Sequence, residues 1–151
     1  AVGCDVAYAS TSGVERKENY PALPLAELLA QSDVVSVHCP LTECTRGLIS
    51  VAELAAMKPT AVIINVARGG IVDEAALARA LDDGTIRAAA LDVFTSEPLR
   101  ESPLYSLKDP YKLLASPHNA WSSVEAVDRL IGCIAQNIAD FIAEEQELLK
   151  K

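Results

Sequence analysis

Five short aliphatic runs alternate with helical patterns along this chain, and that alternation limits what it can fold into. The runs are Cys4 to Ala9, Val34 to His38, Ala61 to Val66, Ile86 to Val93 and Lys112 to Ala115. Strands separated by helices cannot pair as hairpins; they cross over and return parallel. Right-handed crossovers then build a doubly wound α/β sheet. Local signals mark the helices. Pro24 stands at a first helical position before Leu25-Ala-Glu-Leu-Leu-Ala. Ser50-Val-Ala-Glu53 forms a capping box, opening a helix that ends near Met57 with Pro59 just beyond. Asp73 caps Glu74 to Leu81, and Gly84 supplies a left-handed stop.

From Ser122 onward one long helix is expected. Val124, Val127, Leu130, Ile131, Ile134, Ile138, Phe141 and Ile142 recur at helical spacing as one apolar stripe. Such a stripe suits packing on its own sheet as well as on a second domain or subunit. Residues 95–110, rich in Pro, Ser and charge, are the longest irregular stretch, and loops of that size are more often functional than idle.

At 151 residues and 50% hydrophobic, the chain can bury one core rather than two. Its aliphatic runs suit strands covered on both faces. A net charge of −8 offers no basic footprint for nucleic acid and serves solubility. No apolar run is long enough to span a bilayer. The four cysteines are irregularly spaced, without C-x-x-C or Cys/His metal spacing. Buried free thiols in a reducing, cytoplasmic setting are expected, with no metal.

In an open parallel sheet, ligands bind beyond the carboxyl ends of the strands. The third run ends Asn65-Val66-Ala67-Arg68-Gly69-Gly70, bringing an arginine there. Its planar fork can hold a carboxylate by two hydrogen bonds, and the glycines allow a tight turn and close backbone approach. On its own, an arginine at a strand end is as well read as a surface charge. The fourth run ends Leu91-Asp92-Val93-Phe94 and leads to Glu97-Pro98; the fifth ends Ser116-Pro117-His118-Asn119. A histidine at that edge is a candidate proton donor because imidazole titrates near neutrality. Singly these residues are ordinary; an arginine, a carboxylate and a histidine arriving from successive strands are not.

The run Val66-Ala67-Arg68-Gly69-Gly70-Ile71-Val72-Asp73-Glu74-Ala75-Ala76-Leu77, then Ala89-Ala90-Leu91-Asp92-Val93-Phe94 with Glu97-Pro98, then Pro117-His118, resembles the D-isomer-specific 2-hydroxyacid dehydrogenases. His38-Cys39-Pro40-Leu41-Thr42 and Thr45-Arg46-Gly47-Leu48-Ile49 resemble the same family, in the same order. The resemblance implies a Rossmann-like α/β fold: a doubly wound parallel sheet lacking its first βα unit, with a long C-terminal helix. Residues 1–121 would be part of a dinucleotide-binding domain. Residues 122–151 would be a helix packing on that domain or on a substrate domain.

It also implies roles. Arg68 would bind the carboxylate and polarise the carbonyl of a small 2-keto acid. His118 would donate the proton as hydride arrives from NAD(P)H, and Glu97 would hydrogen-bond His118 and favour its protonated form. Asp92 would meet the nicotinamide carboxamide, and Cys39-Pro40 the adenosine. Ser10, Thr11, His38, Thr45, Val66, Ala67 and Ala120 complete the implied cofactor contacts, together with Arg68 and His118 themselves. Trp121 after His118-Asn119-Ala120 is similar to members acting on hydroxypyruvate or glyoxylate. A cytoplasmic homodimer is implied as well.

Two departures stand out. The family's G-x-G-x-x-G motif is absent; Ala1-Val2-Gly3 is similar to the tail of the helix that follows it, so the first strand, the glycine loop and a substrate domain are expected outside this chain. Where an acid normally binds the ribose hydroxyls, the sequence has Ser10-Thr11-Ser12, with Arg16 and Lys17 nearby, so the cofactor is NAD or NADP. A rival reading is a non-catalytic fragment or NAD(H)-sensing interaction module of corepressor type. An L-2-hydroxyacid dehydrogenase fits the order of Arg, Glu and His less well.

Overall fold

Four of the five aliphatic runs pair in parallel. In the computed structural model, which describes residues 3–13 and 19–148, β1 (Val34–Val37), β2 (Val62–Asn65), β3 (Ala88–Leu91) and β4 (Leu113–Ala115) form one sheet in the order β1-β2-β3-β4. Asn65 lies opposite Val37 on one side and Leu91 on the other. α1 (Leu25–Gln31) precedes β1, while α2 (Val51–Ala56) and α3 (Glu74–Asp82) connect successive strands. The chain divides into two compact units, Ala1–Pro117 and His118–Lys151; the first holds the sheet and the second holds α4 (Val124–Leu148).

Leu29 of α1, Leu54 of α2, and Leu77 and Leu81 of α3 share one core with Val35, Ile63 and Leu91. α2 packs against both α1 and α3, so the three helices form a row over that face. On the alternate strand positions Val34 and Ser36 are exposed, while Val62, Ile64, Ala88 and Ala90 are half-buried. Full burial is thus reached on the helix-covered face, where the runs had read as buried on both.

The first run, Cys4 to Ala9, does not become a strand. Only Tyr8 pairs, in an isolated parallel bridge with Ala22. The Tyr8 N–H donates to the Pro21 carbonyl at 3.0 Å, and Leu23 N–H to the Tyr8 carbonyl at 2.9 Å. Pro21 has no N–H to continue the ladder toward Val6, and Leu25 already belongs to α1, so the pairing stops after one rung. Pro24 is the N-cap of α1, one residue before the helical position expected of it.

The two caps form. Glu53 accepts the Ser50 N–H at 3.1 Å, as a capping box requires. Asp73 accepts the N–H groups of Ala75 and Ala76 at 3.0 Å each, and the Ser50 hydroxyl donates to it at 3.1 Å. The Ala76 N–H, opposed by partial burial and supported by Ser50, Ala75 and the Arg79 charge, holds the Asp73 carboxyl below its ordinary 3.8. A carboxyl lowered on folding stabilises the fold above its unfolded value, and the gain is lost as pH falls through its folded value. Asp73→Ala should therefore cost about 0.5–2 kcal/mol near neutrality. The gap from wild type should narrow at pH values below 3.8. Urea unfolding of both proteins across that range checks this; a gap independent of pH would show that the charge contributes nothing.

The 95–110 stretch is more ordered than its composition indicates. It carries 3₁₀ turns at Pro103–Ser106 and Pro110–Lys112, and Leu104 is buried. α3 staples it: Glu74 accepts the Thr95 N–H and the Ser102 hydroxyl at 2.7 Å each, and Asp82 accepts the Lys108 N–H at 2.9 Å. The cysteines correct an expectation. Cys4, Cys44 and Cys133 are exposed and Cys39 is half-buried, all of them free thiols. They fall on an unpaired segment, a turn and a helix surface, so apolar neighbours in sequence did not bury them. In the second unit the α4 stripe, including Ile131, Ile138 and Phe141, is exposed. Among the described residues no helix is long and apolar enough to cross a membrane.

Candidate active site

Parallel strands deliver their carboxyl ends to one edge of the sheet, so the residues after each strand share that edge. His38, Cys39 and Pro40 follow β1; Val66, Ala67 and Arg68 follow β2; Asp92 follows β3 and Ser116 follows β4. An open hollow of about 520 Å³ forms there, lined by His38, Cys39, Pro40, Leu41, Ala67 and Arg68. Its wall is apolar at Pro40, Leu41 and Ala67. His38 Nε2 lies 2.8 Å from Ser36 Oγ. Arg68 is exposed and donates from Nη1 to the Ala67 carbonyl at 2.6 Å.

The loops that make this hollow are fixed from beneath. Thr45 is 2% exposed; its hydroxyl donates to the Pro40 carbonyl at 2.6 Å and accepts the Thr42 N–H at 2.7 Å. It therefore shapes the 40–45 turn from below. Gly47 N–H donates to the Gly70 carbonyl at 2.8 Å and Ile49 N–H to the Ile71 carbonyl at 3.1 Å, tying the loop after β1 to the loop after β2. Gly70 has φ 81°, a left-handed turn that a side chain would strain. Gly69 serves close approach: a Cβ there would overlap the backbone carbonyl of Phe94. Phe94 N–H in turn donates to Glu97 Oε1 at 2.9 Å. The segments carrying Arg68 and Glu97 thus meet at Phe94.

Asp92 is buried and accepts the Ser116 hydroxyl at 2.6 Å. Val66 is partly exposed beside Ala67. Ser10 and Thr11 are exposed just past the Tyr8 bridge and do not line the hollow. Arg16 and Lys17 lie outside the described residues. His118 and Ala120 belong to the second unit. There His118 takes φ 52°, and its carbonyl accepts the Trp121 indole N–H at 2.8 Å. Two polar residues had no role assigned from sequence, Asn65 and Ser116. Each is the lone polar residue closing an aliphatic run, Val62-Ile63-Ile64 and Leu113-Leu114-Ala115, and that pattern was the available signal.

Residues 1–120 match the family described as D-isomer specific 2-hydroxyacid dehydrogenase, NAD binding domain. Glycerate dehydrogenase of Methylorubrum extorquens is 44% identical over 119 residues, covering 79% of this chain and 38% of that protein. The NAD-complexed D-isomer specific 2-hydroxyacid dehydrogenase of Lactobacillus delbrueckii ssp. bulgaricus superposes with a TM-score of 0.82 at 26% identity, over 93% of this chain and 47% of that one. That of Xanthobacter autotrophicus Py2, in complex with NADPH and MES, gives a TM-score of 0.68 at 42% identity, over 77% and 37%. The chain spans less than half the length of the curated relatives it matches. It belongs to the D-isomer specific 2-hydroxyacid dehydrogenases, as their nicotinamide-cofactor-binding part.

Proposed function

We propose that this chain serves an oxidoreductase that interconverts a small 2-keto acid, of the hydroxypyruvate or glyoxylate kind, and its D-2-hydroxy acid with NAD(H) or NADP(H). The observation that carries this reading is the hollow beyond β1 and β2 with Arg68 at its rim. An apolar wall with a few convergent polar groups suits part of a dinucleotide. When bound, the cofactor supplies or accepts the hydride. Arg68 holds the substrate carboxylate through its planar fork and draws electron density from the keto oxygen. His118 gives its proton to that oxygen during reduction and takes it back during oxidation. Glu97 orients His118. Asp92, itself held by Ser116, receives the carboxamide end of the cofactor, while His38, Cys39 and Pro40 border its adenosine end.

Ser10, lacking the charge that repels a 2′-phosphate, supports use of NADP as well as NAD. The exposed stripe of α4 supports packing against the remainder of a full-length protein, which acts as a homodimer. The test takes the protein at the full length of its relatives, mixes it with NADH or NADPH and glyoxylate or hydroxypyruvate, and follows loss of reduced-cofactor absorbance. Turnover with one cofactor fixes both the reaction and the cofactor preference. Cofactor binding without turnover of any small 2-keto acid would remove the enzyme reading and leave an interaction module.

A further inference from the structure

We infer that Asn65 is a positioning residue: its buried side-chain amide sets the Ala67–Arg68 backbone, and through it the aim of the Arg68 guanidinium. The inference rests on the reading that Arg68 binds the substrate carboxylate. Asn65 ends β2, an inner strand, and its backbone is held on both sides, opposite Val37 and opposite Leu91. Its own carbonyl also accepts the Asp92 N–H at 3.0 Å. The Cα is therefore a fixed point at the root of the site. From it the side chain, 2% exposed, reaches forward along the chain. Its Oδ1 accepts the Ala67 N–H at 3.1 Å and its Nδ2 donates to the Arg68 carbonyl at 3.0 Å.

These two bonds fix both ends of the Ala67-Arg68 pair. The Ala67 carbonyl, whose direction they set, is the group that receives Arg68 Nη1 at 2.6 Å. The chain of contacts runs from sheet to amide, from amide to peptide, and from peptide to guanidinium. The first link is the covalent side chain of Asn65; the other two are hydrogen bonds whose donor and acceptor cannot be exchanged, since one partner is an N–H and the other a carbonyl. That requirement selects asparagine. Aspartate would face the Arg68 carbonyl with a second acceptor, leucine would leave both backbone groups unpaired, and glutamine is one methylene too long. Gly69 against Phe94 then limits where the rest of the loop can go.

The experiment measures steady-state kinetics and cofactor affinity on the full-length protein carrying Asn65→Ala, Asn65→Asp, Arg68→Ala and the double variant Asn65→Ala/Arg68→Ala. Misaimed binding groups typically lose on the order of 100-fold in turnover. Asn65→Ala should lower kcat/KM for the keto acid by about 10- to 100-fold, with a smaller change in cofactor dissociation constant, about threefold or less, since Ala67 also lines the hollow. In the Arg68→Ala background the same change should cost less than about threefold, because residues acting as a unit are non-additive. Asn65→Asp keeps the acceptor for the Ala67 N–H and opposes only the Arg68 carbonyl, and it should show the same selective loss. Additive losses, or equal losses in cofactor affinity, would overturn the positioning role. Undiminished turnover by Arg68→Ala alone would instead overturn the assignment of Arg68.

Discussion

Replacing Gly69 by alanine should destabilise the first unit more than any other glycine-to-alanine change in it. The added methyl would occupy the space of the Phe94 backbone carbonyl, with the Thr95 backbone nitrogen also crowded. Backbone atoms have no rotamer into which to retreat, so either the loop after β2 or the segment after β3 must shift. Overpacking of this kind costs about 3 kcal/mol or more when the neighbour cannot yield. That corresponds to a fall in melting temperature of roughly 10 °C for a domain of this size. Gly70→Ala is the built-in comparison. Its cost comes from φ 81° alone, about 1–2 kcal/mol, with only flexible side-chain atoms nearby. Thermal melts of the two variants decide the point: if Gly69→Ala melts within a degree or two of wild type, the two segments slide past one another freely.

The second large effect concerns chemistry. His118→Asn in the full-length protein should lower kcat by about 10²- to 10⁴-fold, the usual contribution of a positioned general acid–base. Cofactor affinity should fall far less than kcat, because the ring is one of many contacts implied for the dinucleotide but the sole proton donor in the reading. Asparagine is the suitable replacement because His118 has φ 52°, and asparagine tolerates the left-handed region better than most residues. The backbone is then kept while the titrating ring is removed. Turnover close to wild type would end the assignment of His118 as proton donor.

How much of this was legible beforehand follows the physics. β1 to β4 all fall inside aliphatic runs, because a hydrophobic run between turn signals has few other uses. The first run has the same composition yet forms a single rung, since pairing depends on the neighbour and Pro21 supplies no donor there. Asp73 and Gly84 act as read because capping is local. The family resemblance puts Thr45 among the cofactor contacts; its hydroxyl turns inward to Pro40, a choice made by the three-dimensional path of the loop. Asn65 was visible only as the letter before Val66-Ala67-Arg68. Its importance lies in reaching two residues forward and three, which no periodicity announces. The thiols were misjudged for a related reason: Cys44 has Leu41 and Leu48 close in sequence, but sits in the outward turn between them.

Sheet order here follows chain order, and that bears on how the polypeptide assembles. The three ladders close loops of 28, 26 and 24 residues, each strand joining the one made just before it. Closure entropy changes little over so narrow a range, so no pairing is penalised relative to the others. Growth can therefore proceed stepwise from β1 to β4 as the chain leaves the ribosome, each arriving strand meeting a finished edge. In that order the Asn65 backbone would gain its Val37 neighbour first, and the Arg68 loop would gain its Phe94 contact only when β3 joins.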